Sequence, residues 1–588
     1  MSSLKNCRCW VTSGLIGLVM MLAAIPVVAD GNDSTKQEQT ARKLAADKKA
    51  ADKKVADKKV ADIKKKADKK KADDKKKETA PQEVAVWKSR DREPVVKLTS
   101  ESLDALLKAS LGDAPVAEIC GDQQFLRRAS LDLIGRQPSP MELDAFLADS
   151  APGKRQRAVD KLLANESFGR NWASYWSDTI SYRTPTPQLT FLNYGPLRRW
   201  LAERLNNGAA WDEITWKLIT ATGKVEEHPE ATFIGFHEAS VERLAAETAR
   251  IFLGQQLACA QCHDHKCESW EQDQFHQLAA FFVRTDTKVP WNDAGQILVS
   301  SKPSGEHKFP LKKETMQPAV FDGDPIAPGL SDVKRRQALA DWLASDQNEF
   351  FAKAYTNRIW SQLIGRGFYE PVDHLSENVT PTLPEVHAAL AEQFTSSGYD
   401  IKGLFRLLMN TEAYQRSLPA ASKAHVLYSA VLPQKLRGDD VFDSLAAAIQ
   451  LPNIKPKQAK QDGNFRFPPP PKSTRDLVKD VFNFDPSVDR RLVTRTMQQA
   501  LWMMNNDQLQ KQIDASLGSD TVLAKLLAGE PDDGVAVAQL FRLVFARAPT
   551  ERELKISQTH IASTGVRGSA YEDLLWSWLN STEFTTRR

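Results

Sequence analysis

Residues 125–136 read FLRRASLDLIGR, and this stretch decides the expected fold. Its apolar residues recur at the spacing of an α-helix, and Gly135 stands where that helix would end. A second helix is expected to start directly afterwards, because Ser139 is a candidate N-cap and Pro140 suits a first helical turn. The stretch therefore predicts a chain of helices separated by short turns.

The same helical periodicity recurs over most of the chain, whereas the alternation typical of strands is scarce. Aromatic residues are expected to anchor the packing of these helices, and the alternative is that their rings bind sugars. The tryptophans concerned are Trp172, Trp176, Trp200, Trp211 and Trp216. The sequence predicts a mainly α-helical fold.

A chain of 588 residues is too long for one hydrophobic core, so several structural units are expected. Changes in composition divide the chain into five segments. They are a signal peptide at 1–29, a charged low-complexity spacer at 30–93, a first helical domain at 94–290, an irregular linker at 291–332 and a second helical domain at 333–588.

The first 29 residues predict export. Lys5 and Arg8 precede an apolar run, and small residues before Asp30 offer a cleavage site, which is the pattern of a secretory signal peptide. The apolar run is short for a membrane-spanning helix, and an uncleaved anchor is the alternative. We expect a periplasmic or cell-surface protein that contacts the membrane only if the signal stays attached.

The spacer repeats a five-residue unit rich in Ala, Asp and Lys. Successive units rotate by about 140° around a helix, so they build no apolar stripe that could be buried. Between Lys36 and Glu78 there are 18 basic residues against 9 acidic ones, while the whole chain carries a net charge of +4. A solvated spacer is expected, and the alternative is an arm that binds an anionic cell-envelope polymer. Because the remainder is slightly acidic, nucleic-acid binding is not expected.

Residues 259–267 read CAQCHDHKC, the densest group of sulfur and nitrogen ligands in the chain. Cys259, Cys262 and His263 form C-x-x-C-H, the attachment motif of c-type haem, in which two thiols bond to the porphyrin and the imidazole binds the iron. Helical patterns on both sides place the motif in a turn between helices. A c-type haem is therefore expected here, with five-coordinate iron or a second ligand from a short set. The members of that set are His276, His307 and Met316.

Two other interpretations of the motif stay open. A zinc ion could be held by Cys259, Cys262, Cys267 and one of His263 or His265, although ligands packed so closely are cramped. Alternatively, Cys259 and Cys262 form a structural disulfide. In an exported protein, a C-x-x-C pair is expected to be haem-linked, metallated or oxidised.

The other polar candidates are weaker. Asp373, His374, Glu377 and Asn378 follow a glycine-rich turn and would suit acid–base chemistry, but turn formation and capping are favoured. No nucleophile elbow, phosphate loop or metalloprotease motif occurs, so the sequence assigns no enzymatic reaction.

Several separate segments resemble, in order, an exported family best known from planctomycetes. It couples two consecutive domains of unknown function, and the first is associated with cytochrome c. The first domain is similar at residues 125–135, 171–176, 253–265 and 279–282, and the second at 357–360, 365–368, 371–373 and 580–584. The region before residue 94 has no C-x-x-C-H of its own, so any haem in this chain falls to residues 259–263.

Together these features predict an exported redox or electron-transfer component that carries c-type haem and works with redox partner proteins. The rival prediction is a cell-surface scaffold or carbohydrate-associated binding protein in which Cys259 and Cys262 form a disulfide.

Overall fold

The computed structural model describes residues 97–182, 194–288, 297–309, 314–418, 427–456 and 471–588, together with residues 43, 64, 65, 85–88 and 95. The predicted signal peptide lies outside the described residues, as does most of the predicted spacer.

The mainly helical fold is confirmed. The α-helices are α1 Ser100–Leu111, α2 Asp122–Ile134, α3 Pro140–Ala148, α4 Lys154–Leu163, α5 Glu166–Ser181, α6 Gly195–Asn206, α7 Trp211–Thr220, α8 Thr232–Phe236, α9 Val241–Thr248, α10 Gln272–Ala280, α11 Asp332–Leu343, α12 Glu349–Ile364, α13 Pro384–Ser396, α14 Ile401–Met409, α15 Glu412–Gln415, α16 Gly438–Ile449, α17 Thr474–Phe482, α18 Met497–Asn505, α19 Asp507–Gln512, α20 Val522–Gly529, α21 Asp533–Phe545, α22 Glu551–Thr564 and α23 Arg567–Leu579. Short 3₁₀ turns span Pro229–Ala231 and Leu257–Gln261, and a π turn spans Ala249–Leu253.

The helix boundaries at the opening stretch follow the predicted signals. Helix α2 ends at Gly135, whose φ of 71° is in the left-handed region that glycine adopts without strain. Helix α3 begins with a capping box, in which Ser139 accepts from the Glu142 amide and Glu142 accepts from the Ser139 amide. The local sequence therefore determines both where α2 ends and where α3 begins.

Strands are short and few among the described residues. They are β1 Gly223–Lys224, β2 Thr285–Lys288, β3 Leu298–Ser301, β4 His307–Lys308, β5 Thr315–Met316, β6 Gln434–Lys435 and β7 Thr586–Arg587. The order β1-β3-β2 makes an antiparallel sheet, and β4 pairs with β5 and β6 with β7. The segment predicted as an irregular linker thus contributes three strands, because β3 pairs with β1 and β2 outside the segment while β4 and β5 pair with each other.

Residues 82–588 form one compact unit, and its larger core draws on both predicted domain ranges. The Trp176 ring stacks on Tyr355 with centroids 5.4 Å apart, and Trp211 lies 4.8 Å from the same ring. Helices α5 and α7 therefore share a core with α12. The five tryptophans singled out above are all buried, so they pack the core and offer no open ring face to a sugar.

A second core lies between helices α16 to α23 and also takes in Leu131 from α2. Its members include Phe442, Leu540 and Tyr571, all buried. Within the described ranges, no helix combines the length and the apolar composition needed to cross a bilayer.

Candidate functional site

The helix that precedes the C-x-x-C-H motif ends at Gly254, and Leu375 from a distant segment holds this helix end in place. Helix α9 widens into the π turn Ala249–Leu253 and stops at Gly254, where φ is +65°. A side-chain carbon at Gly254 would lie 2.5 Å from Leu375 Cδ1, and the Leu375 amide donates to the Gly254 carbonyl over 2.7 Å. Only glycine suits this combination of backbone angle and close approach. The helix predicted on the N-terminal side of the motif therefore ends at Gly254, before the motif begins.

Residues 259–267, here the cysteine loop, begin within the 3₁₀ turn Leu257–Gln261. Leu257 and Ala260 are buried and attach the turn to the core. Cys259 and Cys262 point outward, and both carry free, exposed thiols. Because the side chains of Leu257 and Ala260 pack into the core, the opposite side of the turn exposes the two sulfur atoms to solvent.

His263 is also exposed, and its Nδ1 lies 2.7 Å from the carbonyl oxygen of Asp264. A carbonyl only accepts, so this contact puts the ring proton on Nδ1 and leaves the lone pair on Nε2. Within the described part of the chain, Nε2 has no hydrogen-bond partner. A histidine bound to a metal usually has this arrangement, with one nitrogen fixed by a carbonyl and the other free to ligate.

His265 and Cys267, the other candidate ligands in the cysteine loop, make different contacts from His263. The His265 amide donates to the Trp270 carbonyl over 2.8 Å, and the Cys267 amide donates to His265 Nδ1 over 3.3 Å. Cys267 carries a third exposed, free thiol. Across the described ranges, no three His, Cys, Asp or Glu side chains are arranged to hold a metal ion. The zinc interpretation stays a prediction, and it requires the loop to rearrange on binding.

The structure brings the three candidates for a second iron ligand together, on the inner side of the loop. Buried His276 contacts the Gln261 carbonyl through Nε2 at 3.1 Å and His307 Nε2 through Nδ1 at 2.8 Å. Met316 is the register partner of His307 in the β4–β5 pair. Burial lowers the pKa of both imidazoles. Both rings are hydrogen-bonded beneath the turn, whereas His263 lies on its outer surface.

Residues 371–378, here the clamp loop, hold the far end of the cysteine loop. Ser376 Oγ donates to Glu268 Oε1 over 2.6 Å, and His374 Nε2 lies 3.2 Å from the same oxygen. Asn378 Nδ2 donates to the Cys267 carbonyl over 2.5 Å. Three weak candidates for acid–base chemistry, His374, Glu377 and Asn378, therefore lie against the cysteine loop as structural contacts, with Glu377 accepting from Ser269.

The near end of the clamp loop is fixed by a buried charge cluster. Asp373 accepts from Arg250 Nη1 at 3.3 Å and from Gln256 Nε2 at 2.9 Å. Burial opposes the charge on Arg250, but Glu247 and Asp373 outweigh it and raise the pKa of the guanidinium. The sequence prediction missed Arg250 and Glu268. Arg250 was detectable as a charge inside an apolar helical run, whereas Glu268 carries no local signal.

Two family models match the chain in succession. PSCyt2, described as a protein of unknown function (DUF1549), covers residues 102–287, and PSD1, described as a protein of unknown function (DUF1553), covers residues 335–561. The chain belongs to the PSCyt2 and PSD1 families. This confirms the predicted pair of consecutive domains of unknown function. Comparison with curated proteins and with solved structures finds no match.

The candidate site is built from both family regions. The PSCyt2 region supplies the cysteine loop, Arg250 and Glu268, and the PSD1 region supplies the clamp loop. Contacts between them run from Gly254, which precedes the cysteine loop, to Glu268, which directly follows it. The exposed thiols are therefore carried on a loop whose two ends are anchored to the second region.

Proposed function

We propose that this protein is an exported redox component that carries a c-type haem on Cys259, Cys262 and His263. The observation that supports it most directly is the state of His263, whose Nδ1 is bonded to the Asp264 carbonyl while Nε2 is free. This imidazole lies one residue after a pair of exposed, free thiols.

The residues present fit the attachment of such a group. Cys259 and Cys262 would hold it through thioether bonds, and His263 Nε2 would ligate the iron. When bound, a c-type haem supplies one-electron transfer. The protein contributes an anchored loop, because Leu257 and Ala260 are buried beneath the turn and Glu268 ties its far end. Anchoring keeps the two sulfur atoms and the imidazole in one constant arrangement.

His263 would hold the iron without help from either of the buried histidines, His276 and His307. His276 and His307 are engaged with each other and with the Gln261 carbonyl on the inner side of the turn. Recruiting either would break a buried hydrogen bond and leave its partner unsatisfied. Both histidines would therefore keep these contacts with a haem bound at residues 259–263, and exposure to solvent is one of the factors that set a haem potential.

The test is expression in a host with the haem-attachment apparatus, followed by a pyridine haemochrome spectrum and an intact mass. The wild type is expected to show covalent haem. Cys259→Ala and Cys262→Ala should each lose at least one thioether, whereas Cys267→Ala, which removes the third exposed thiol of the same loop, should retain the spectrum. A colourless wild type without added haem mass would refute the proposal.

A second candidate function follows from the same pair of thiols. The Cys262 amide lies 3.5 Å from the Cys259 carbonyl, so the two cysteines belong to one tight turn. In an oxidising compartment such a pair would close to a disulfide and leave a surface scaffold without a cofactor. A mass two hydrogens lower, with both cysteines protected from alkylation, would identify this alternative in the same experiment.

A further inference from the structure

A groove lies between helices α3 and α4 and encloses a cavity of about 180 Å³. The lining residues of each wall recur at spacings of three and four, so each helix turns one continuous face toward the groove. The α3 wall is formed by Glu142, Ala145, Phe146 and Asp149, and the α4 wall by Lys154, Arg157, Ala158, Lys161 and Leu162. The groove shares no residue with the cysteine loop or the clamp loop.

The floor of the groove is apolar. Leu126 of α2, Phe146 of α3 and Leu162 of α4 are all buried and all line the cavity. A cavity of about 150 Å³ with such walls is large enough to hold a benzene ring. The groove can therefore take an apolar group of that size, in contact with side chains from three helices.

Ion pairs occupy the end of the groove where α3 ends and α4 begins. Arg157 pairs with Asp149 at 2.6 Å, which bridges the two walls. Lys154 pairs with Asp122 at 2.6 Å and stands over the Phe146 ring, with Nζ 5.0 Å from the ring centroid. Because each cation here already has its carboxylate, this end offers no free charge to a ligand.

Lys161, two turns further along the α4 wall, has no such partner. Among the residues that the structure describes, its exposed ammonium group makes no ion pair or hydrogen bond. Asn165, one turn later, accepts from the Ser167 amide through Oδ1, and its Nδ2 group has no acceptor in the same set of residues. The remaining carboxylate of the groove, Glu142, is held by Arg136 at 2.8 Å. Two donors, one of them cationic, are therefore available beside the apolar floor.

The charge of the groove selects the sign of its ligand. Three basic and two acidic side chains line it, so its net charge is +1. A single unmatched cation and one neutral amide donor suit a head group with one negative charge and two acceptor oxygens, which describes a carboxylate. A doubly charged phosphate would keep one charge unmatched.

We propose that the groove between α3 and α4 binds a small carboxylic acid whose apolar body is about the size of a benzene ring. The carboxylate accepts from Lys161 Nζ and Asn165 Nδ2, and the apolar body lies on Leu126, Phe146 and Leu162. This ligand site is independent of the proposed haem, because the groove and the cysteine loop have no residue in common.

Ligand-detected NMR titrations of the full chain with three small molecules test the proposal. Phenylacetate carries both the ring and the carboxylate, benzyl alcohol lacks the charge, and acetate lacks the ring. A dissociation constant below about 1 mM is expected for phenylacetate. Binding of benzyl alcohol and of acetate should each be at least about tenfold weaker.

Two variants locate the site. Lys161→Glu should weaken phenylacetate binding at least about fivefold, because a repulsion replaces an attraction, and should leave benzyl alcohol binding unchanged. Lys108→Glu is its matched control, since Lys108 is also exposed but lies on α1. Ala145→Trp should block the groove, whereas Ala148→Trp places the same ring at an exposed position of α3 outside the lining. Thermal melting verifies each fold, and Ala145→Phe replaces Ala145→Trp if the latter unfolds.

Other outcomes would overturn the proposal. Equal binding of phenylacetate and benzyl alcohol would show that the ring alone accounts for the affinity. Unchanged phenylacetate binding in both Lys161→Glu and Ala145→Trp would place the ligand elsewhere on the chain. Self-association that Ala145→Trp abolishes in sedimentation velocity, without phenylacetate binding, would assign the groove to a second copy of the chain.

Discussion

Ser376 donates its hydroxyl hydrogen bond to Glu268 across 2.6 Å, although 108 residues separate them in the sequence. Ser376 belongs to the PSD1 region, whereas Glu268 directly follows the cysteine loop of the PSCyt2 region. The Glu268 side chain is nearly buried and also contacts His374. The position of the exposed thiols is therefore determined by both regions together, which gives a physical reason for the two to occur in one chain.

Glu268→Ala is expected to loosen the cysteine loop. The substitution leaves the Ser376 hydroxyl without its acceptor in a buried place, which costs about 1–3 kcal/mol. Amide hydrogen exchange over residues 257–270 should accelerate, and urea denaturation should show the lower stability. Glu268→Gln retains one acceptor oxygen and should recover part of the loss. Exposed Glu226→Ala is the control, and unchanged exchange in Glu268→Ala would contradict the anchoring role.

Gly254→Ala is expected to disturb the other end of the same loop. Alanine at φ +65° is strained by about 1–2 kcal/mol, and its methyl group also meets Leu375. Gly208→Ala separates the two effects, because Gly208 has φ +74° but no atom within 4 Å of the added carbon. Thermal unfolding should therefore show a larger loss for Gly254→Ala. Equal losses would mean that Leu375 moves aside without cost.

The helices were predictable from the sequence because their signals are local. Ser139, Pro140 and Gly135 act within one or two turns, and each has the predicted role. The linker strands were not predictable in the same way, since β3 has only four residues and exists through pairing with β1 and β2. Pairing between distant segments leaves no periodic pattern in so short a stretch.

The same distinction between local signals and long-range contacts applies to the candidate site. The C-x-x-C-H residues are adjacent in sequence, so their proximity was certain and only their exposure was new. The polar residues of the clamp loop are visible in the sequence, but the contact of this loop with Glu268 depends on tertiary packing across more than a hundred residues. Likewise, His276 and His307 come together only through the β4–β5 pair and α10.

Arg336→Met is expected to be among the most damaging single changes outside the candidate site. Fully buried Arg336 pairs with Asp332 at 2.8 Å and also donates to the carbonyls of Ile219 and Ala221. Removing it leaves a buried carboxylate without its counter-charge, at a cost of about 3–5 kcal/mol. The measurement is urea denaturation of the purified variants.

Lys334→Met, two residues earlier on the exposed side of α11, is the matched control and should stay within about 0.5 kcal/mol of the wild type. Asp332→Asn combined with Arg336→Met should recover part of the loss, because it removes the unpaired charge. If the double variant is less stable than Arg336→Met alone, the hydrogen bonds that Thr285 and Ser301 donate to Asp332 dominate over the ion pair.

Low pH should destabilise the protein through His237, and the substitution His237→Leu should reduce this loss of stability. Burial, only partly offset by Glu247, lowers the pKa of His237 from 6.5 to about 4, and neither ring nitrogen has a hydrogen-bond partner among the described residues. Because the folded pKa lies below the unfolded one, the unfolded chain binds more protons as pH falls. Stability is therefore complete above about pH 6.5 and declines below it. From pH 7 to pH 5 this residue should lower the free energy of unfolding by about 2 kcal/mol.

Urea denaturation at both pH values should show a smaller loss of stability in acid for His237→Leu, by about that amount. No such improvement is expected for His228→Gln, whose side chain is half exposed. An equal acid loss in wild type and His237→Leu would place the acid sensitivity on other buried histidines such as His387, whose pKa burial also lowers to about 4.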